Sequence, residues 1–173
     1  RELDQARADG NRELRRELRA KYRPILHPSG GRIYLNAGGD WQTLPIDTNV
    51  KMESIASAQD GRLLACGGFG LNFAFANATD IEDVSFQDSK ESGLAVRNHA
   101  GKWYVLVDSQ IRVLSSDYAV IENIPLPAEM RSPNEFDVFD GMIWLFDHGG
   151  VARFQNGSWE QIPIPDHLWA RAG

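Results

Sequence analysis

Gly93-Leu-Ala-Val-Arg97, Asn98-His-Ala-Gly101, Lys102-Trp-Tyr-Val-Leu-Val107, Asp108-Ser-Gln110, Ile111-Arg-Val-Leu114, Ser115-Ser-Asp-Tyr118 and Ala119-Val-Ile-Glu-Asn-Ile124 run on without a break, and their reading decides the fold. Four short apolar runs alternate with turn residues, the pattern of four consecutive antiparallel strands. The second run, 102–107, is nearly all apolar, as a strand covered on both faces must be. The scheme returns in Phe136-Asp-Val-Phe139, Met142-Ile-Trp-Leu-Phe146, Val151-Ala-Arg-Phe154 and Ser158-Trp-Glu-Gln-Ile162. Phe136 and Val138 oppose Asp137 there, the period of two expected for a strand.

Working outward, three marks recur in one register. Gly61, Gly101 and Gly141 each precede a second strand, at spacings of 40 and 40. Trp41-Gln-Thr-Leu-Pro-Ile46, Ile81-Glu-Asp-Val-Ser-Phe86, Ile121-Glu-Asn-Ile-Pro-Leu126 and Trp159-Glu-Gln-Ile-Pro-Ile164 share one pattern, at spacings of 40, 40 and 38. Between them lie Arg32-Ile-Tyr-Leu35, Leu71-Asn-Phe-Ala-Phe75, Ile111-Arg-Val-Leu114 and Val151-Ala-Arg-Phe154. Self-similarity at this period points to a propeller or solenoid. The expected fold is all-β: a four-repeat small or partial β-propeller with about 40 residues per four-stranded blade. Its repeats fall near 24–47, 48–87, 88–127 and 128–165, within a domain of residues 24–173. Pro45, Pro125 and Pro163 sit in the fourth-strand pattern, where an edge strand tolerates a residue that cannot donate to the ladder.

Ser57-Ala-Gln-Asp-Gly-Arg-Leu-Leu-Ala-Cys-Gly-Gly-Phe-Gly70 combines an Asp-Gly turn, a strand and a glycine-rich turn. At these residues, and at Asn36-Ala-Gly-Gly-Asp-Trp41 and Ser115-Ser-Asp117, the chain resembles the YCF48-like and sialidase-type (BNR, or Asp-box) propeller repeats. No unit carries the full Ser-x-Asp-x-Gly-x-Thr-Trp string, so the repeats are degenerate. The resemblance covers about residues 24–165. It implies a propeller and transfers no catalytic residue.

The first unit departs from the pattern. Its inner strand should lie near residues 12–19, yet Arg12-Glu-Leu-Arg-Arg-Glu-Leu-Arg19 is a helix former. Leu14, Leu18 and Tyr22 make one narrow apolar stripe. A short N-terminal α-helix within a basic arm of residues 1–23 is therefore expected, interrupted at Asp9-Gly10-Asn11. The blades then close as a small propeller, form an open arc that a second copy completes as a homodimer, or belong to a longer array.

Composition is that of a globular chain: 173 residues, 42% hydrophobic and 24% charged. No apolar run approaches the roughly 18 residues of a membrane helix, so no membrane partner is expected. The chain starts at Arg1 rather than Met, which leaves room for an upstream segment such as a cleaved signal peptide. A single cysteine, Cys66, excludes an internal disulfide and favours a cytoplasmic location, with periplasmic or virion-associated settings as alternatives. Net charge is −6, split into +3 over residues 1–23 and −9 over residues 24–173. An acidic body disfavours nucleic acid and suits a basic protein partner.

Local motifs for chemistry are missing. His27, His99, His148 and His167 have no metal-ligand spacing. Gly67-Gly-Phe-Gly70 lacks the lysine and following helix of a phosphate loop. Glu82 and Asp83 sit side by side on a strand and face opposite ways. The expectation is no enzyme, no catalytic residue, no metal and no cofactor. Four of the five tryptophans, Trp41, Trp103, Trp144 and Trp159, are expected in blade cores.

The remaining asset is surface. Loops joining second to third strands, and blade to blade, share one end of a propeller. That end gathers Asp47, Asp88, Glu91, Asp108, Glu129, Asp147 and His148 as candidate partner-binding residues. The leading expectation is a protein-binding module for a basic partner, for example an immunity or antitoxin protein neutralising a bacterial toxin. The alternatives are a structural or assembly protein of a phage or secretion machine, docking through the N-terminal helix, and a glycan-binding or sialidase-like propeller.

Overall fold

The computed structural model describes residues 33–163, except 37, 45, 47–49, 78, 87–90, 131, 132, 134, 148 and 149. The expected N-terminal helix, the 1–23 boundary and the inner half of the first unit lie outside the described residues. The second unit forms β3 (Met52–Ser57), β4 (Leu63–Gly67), β5 (Asn72–Phe75) and β6 (Ile81–Asp83). The third forms β7 (Gly93–His99), β8 (Lys102–Val107), β9 (Gln110–Leu114) and β10 (Val120–Pro125). The fourth forms β11 (Glu135–Phe139), β12 (Met142–Asp147), β13 (Gly150–Gln155) and β14 (Ser158–Ile162). Each unit is a four-stranded antiparallel sheet in simple sequence order. Of the first unit, β1 (Tyr34–Asn36) and β2 (Trp41–Thr43) pair as its outer two strands.

Turn chemistry sets the register. Ala100-Gly101, Asp140-Gly141 and Asn156-Gly157 hold both residues at positive φ, the two-residue hairpin turn whose twist matches the flanking strands. The turn before a fourth strand is closed by a polar side chain in three units. Asn36 Oδ1 accepts from Gly38 and Gly39 N–H at 3.0 and 3.2 Å, and Asn77 Oδ1 from Thr79 and Asp80 N–H at 2.9 Å. Ser115 Oγ plays this part in the third unit, accepting from Ala119 N–H at 3.1 Å. Pro125 ends β10 at the sheet edge, as expected.

Alternation along the second strand of each sheet builds the core at the seams between sheets. Trp103, Val105 and Val107 of β8 join Leu64 and Cys66 of β4 in one cluster. Leu106, on the opposite face of β8, packs with Phe136, Ile143 and Leu145 of the last sheet. Ala65 and Phe75 meet Ile33 and Leu44 of the first. Burial at such seams contributes about 1.5–3 kcal/mol for each large side chain. Inner strands also bond directly, since Val96 N–H donates to Ser54 Oγ at 3.2 Å. A Cβ added to Gly93 would lie 2.8 Å from the Cys66 Cβ, so β7 approaches β4 closer than a side chain allows.

The two end sheets do not cover each other: Trp41 is 71% exposed and Phe139 is 70% exposed. The array is therefore a partial propeller among the described residues, and closure within one chain is not observed. This also corrects the placement of two tryptophans. Trp103 is fully buried and Trp159 packs against the last seam. Trp41 and Trp144 instead lie on the outer faces of the first and last sheets, where no neighbouring sheet lies among the described residues, Trp144 half-buried beneath Arg153.

Candidate functional site

The acidic end is less available than the sequence suggests. Glu91 precedes β7 and reaches the next hairpin, accepting hydrogen bonds from Ser109 Oγ, Gln110 Nε2 (3.3 Å) and Arg112 (3.0 Å). Burial pushes its carboxyl up, but the bonds from Ser109, Arg112 and Gln110 outweigh that and hold it below the ordinary glutamate value. Arg112 in turn lies 4.5 Å above the Phe86 ring, a cation held by an anion and an aromatic face together. Asp108 caps the same linker, accepting from Ser92 N–H at 3.1 Å. Glu91 and Asp108 thus brace the entry to the third blade. Glu129 is exposed on the turn before β11, and Asp147 is half-buried at the end of β12. Asp47, Asp88 and His148 lie outside the described residues.

The opposite end holds a site that single-unit reading missed. A cleft of about 130 Å³ opens at the seam of the second and third blades, lined by Arg62, Ala74, Phe75, Ala76, Asp80, Glu82 and Tyr118. Arg62 is already committed. Its Nε donates to Asp60 at 2.8 Å, its Nη1 to the Ser116 carbonyl at 2.6 Å, and its guanidinium lies 5.7 Å over the Tyr118 ring. The hydrogen bond from Arg62 lowers the Asp60 pKa. Tyr118 has a φ of 66° and stacks on Trp103 at 6.2 Å, so its ring is set by the core. Asp80 and Glu82 are exposed, and among the described residues neither forms an ion pair. The result is a small cleft in which two carboxylates, without an ion-pair partner among the described residues, stand near Ala76 and Tyr118.

The other described arginines are likewise internally matched: Arg97 with Glu135 and Asp137, Arg153 with Glu160. Cys66 is buried, and desolvation pushes its thiol up to about 12, so it packs as a small apolar residue. No group of His, Cys, Asp and Glu able to hold a metal is found among the described residues.

No family model matches the chain, and no curated protein matches it. Solved structures do. The chain is similar to virginiamycin B lyase from Staphylococcus aureus, at 13% identity over 78% of this chain and 49% of that one, with a TM-score of 0.67. It is similar to YCF48 from Cyanidioschyzon merolae, at 14% identity over 71% and 43%, TM-score 0.61. A further likeness is to YCF48 bound to D1 peptide, at 12% identity over 77% and 49%, TM-score 0.54. At such identities the shared property is the β-propeller fold, and this chain spans about half the length of the structures it matches.

These likenesses correct one expectation. The reading of the chain as no enzyme rested on the lack of a local motif, yet the fold it adopts is one that a lyase uses. Groups on a propeller surface converge from loops of different blades, so a missing local motif does not exclude catalysis.

Proposed function

We propose that this chain is a β-propeller module that binds a protein partner through the partner's cationic side chains. The seam cleft carries the reading. Asp80 and Glu82 line it with no cation paired to them among the described residues, while Asp60 and Ser116 already engage Arg62. A lysine or arginine side chain would lay its methylenes beside Ala76 and Tyr118 and bring its charge to the two carboxylates. The −9 balance over residues 24–173 would speed the encounter. A propeller of this kind bound to a peptide supports a polypeptide as the ligand class. An immunity or antitoxin protein held on a basic toxin domain is the concrete version of this reading. The polar-capped turn at Ser115–Asp117 supports reading the units as worn Asp-box repeats.

The test is capture from native lysate at low and moderate salt, with the wild-type chain and an Asp80→Asn/Glu82→Gln variant side by side. The reading expects a stoichiometric partner that salt weakens and the variant loses. No stoichiometric partner at either salt, or one that the variant holds equally well, would refute it.

A further inference from the structure

The last sheet is written for a neighbour that the array does not supply. β12 reads Met142-Ile-Trp-Leu-Phe146, as apolar as β8, which is covered on both faces. Ile143 and Leu145 enter the seam with the third blade. Met142, Trp144 and Phe146 fall on the other side, in line with Val151 of β13 and Ile162 of β14 by strand register. Phe146 remains 37% exposed and Phe139, across from Met142, 70% exposed. The charges beside this face are paired within the chain, Arg153 with Glu160, and Glu135 and Asp137 sharing Arg97, which leaves one net negative charge. An apolar face whose bordering charges are paired within the chain is the composition of an interface, not of a solvated sheet.

The other end of the array is its complement. On the first sheet Leu35 turns inward with Ile33 and Leu44, while Tyr34 and Trp41 project outward, 53% and 71% exposed. That outer face carries Tyr34, Asn36, Trp41 and Thr43, aromatic and uncharged. The propellers that this chain matches are about twice its length.

We propose that a second copy of this chain covers these faces, the last sheet of each copy packing on the first sheet of the other. Two arrays related by a twofold axis then form one closed ring, in which the same seam occurs twice and both open faces are buried. Each new seam repeats the sheet-on-sheet packing already seen three times within the chain. The inference does not depend on the cleft or its partner.

The 173-residue chain is measured alone by light scattering after size exclusion, at concentrations from about 1 to 100 µM. The expected mass is twice the 19.3 kDa of one chain. Phe146→Asp and Trp41→Asp are each expected to shift that mass to one chain while leaving the far-ultraviolet circular dichroism unchanged. Mixing the two variants restores a dimer with one intact seam, since each supplies the face the other lacks. A wild-type chain that stays at 19.3 kDa throughout overturns the proposal. So does a dimer that Trp41→Asp leaves intact, because that would place last sheet on last sheet. The wild-type mass decides the matter even if a variant fails to fold. It is read without a partner, so its outcome is separate from that of the capture experiment.

Discussion

Gly93→Ala tests the close approach of neighbouring blades, and its sign decides the matter. Gly93 is buried at the start of β7 with an extended backbone that alanine adopts without strain. If the neighbouring sheet were distant, the substitution would stabilise the chain by about 0.4–1 kcal/mol, by restricting the unfolded state. In the structure the new Cβ would sit 2.8 Å from Cys66 Cβ, 3.2 Å from its sulfur and 3.4 Å from Gly67 N. Two carbons sit comfortably at about 3.5–4.0 Å, so the seam must open by roughly 1 Å. Gly67 cannot yield easily, because its own Cβ position lies 2.5 Å from the Lys51 carbonyl. Overpacking of this kind costs about 1–3 kcal/mol. A loss of about 2 kcal/mol lowers Tm by about 4–8 °C in a domain of this size. Urea and thermal melts of wild type, Gly93→Ala, Cys66→Gly and the double variant complete the cycle. The two sites should couple by about 0.5–3 kcal/mol, the alanine being better tolerated once Cys66 has lost its Cβ. A neutral or stabilising Gly93→Ala would refute the close seam.

Glu91→Gln should destabilise by about 1.5–3 kcal/mol near neutral pH, since Arg112 loses its charged partner. Because the folded carboxyl sits below its ordinary value of 4.5, this contribution is fully present above that value and is lost as pH falls through the folded pKa. Wild-type and variant urea midpoints should therefore converge in acid. Trp159→Phe removes the indole bond to the Pro125 carbonyl, 2.8 Å across the last seam, and should cost about 0.5–1.5 kcal/mol in the same assay. Cys66, buried and with its thiol pushed up to about 12, should react with a thiol reagent at neutral pH only as fast as the chain opens. A burst of labelling in the native protein would contradict that burial.

The local order of strands was legible because each unit writes its own turns. Asn98-His-Ala-Gly101 announces a turn, and 102–107 announces a strand covered on both sides. The expected span of that strand is the observed one, and Ser158–Ile162 likewise. What stayed hidden depends on neighbours. The tryptophans of the blade repeats look alike in sequence, yet Trp103 faces another blade while Trp41 is exposed, and nothing local separates them. The acidic end was read from composition, but Glu91 and Asp108 are spent on Ser109, Arg112 and Ser92, a use visible only once the linker folds over the hairpin. The cleft was missed because Arg62 comes from one unit and Tyr118 from the next. Arg62 stands one period from Lys102 and two from Met142, and only the fold of the following turn gives it a different surrounding.

The radial stacking of sheets supports both proposals, and inter-blade nuclear Overhauser contacts test it most directly. The structure predicts cross-peaks from the Gly93 α-protons to the Cys66 β-protons, and from the Val96 amide to the Ser54 β-protons. If β7–β8 contacts within the third sheet are present while both inter-sheet sets are missing, the sheets do not stack as blades and the account fails.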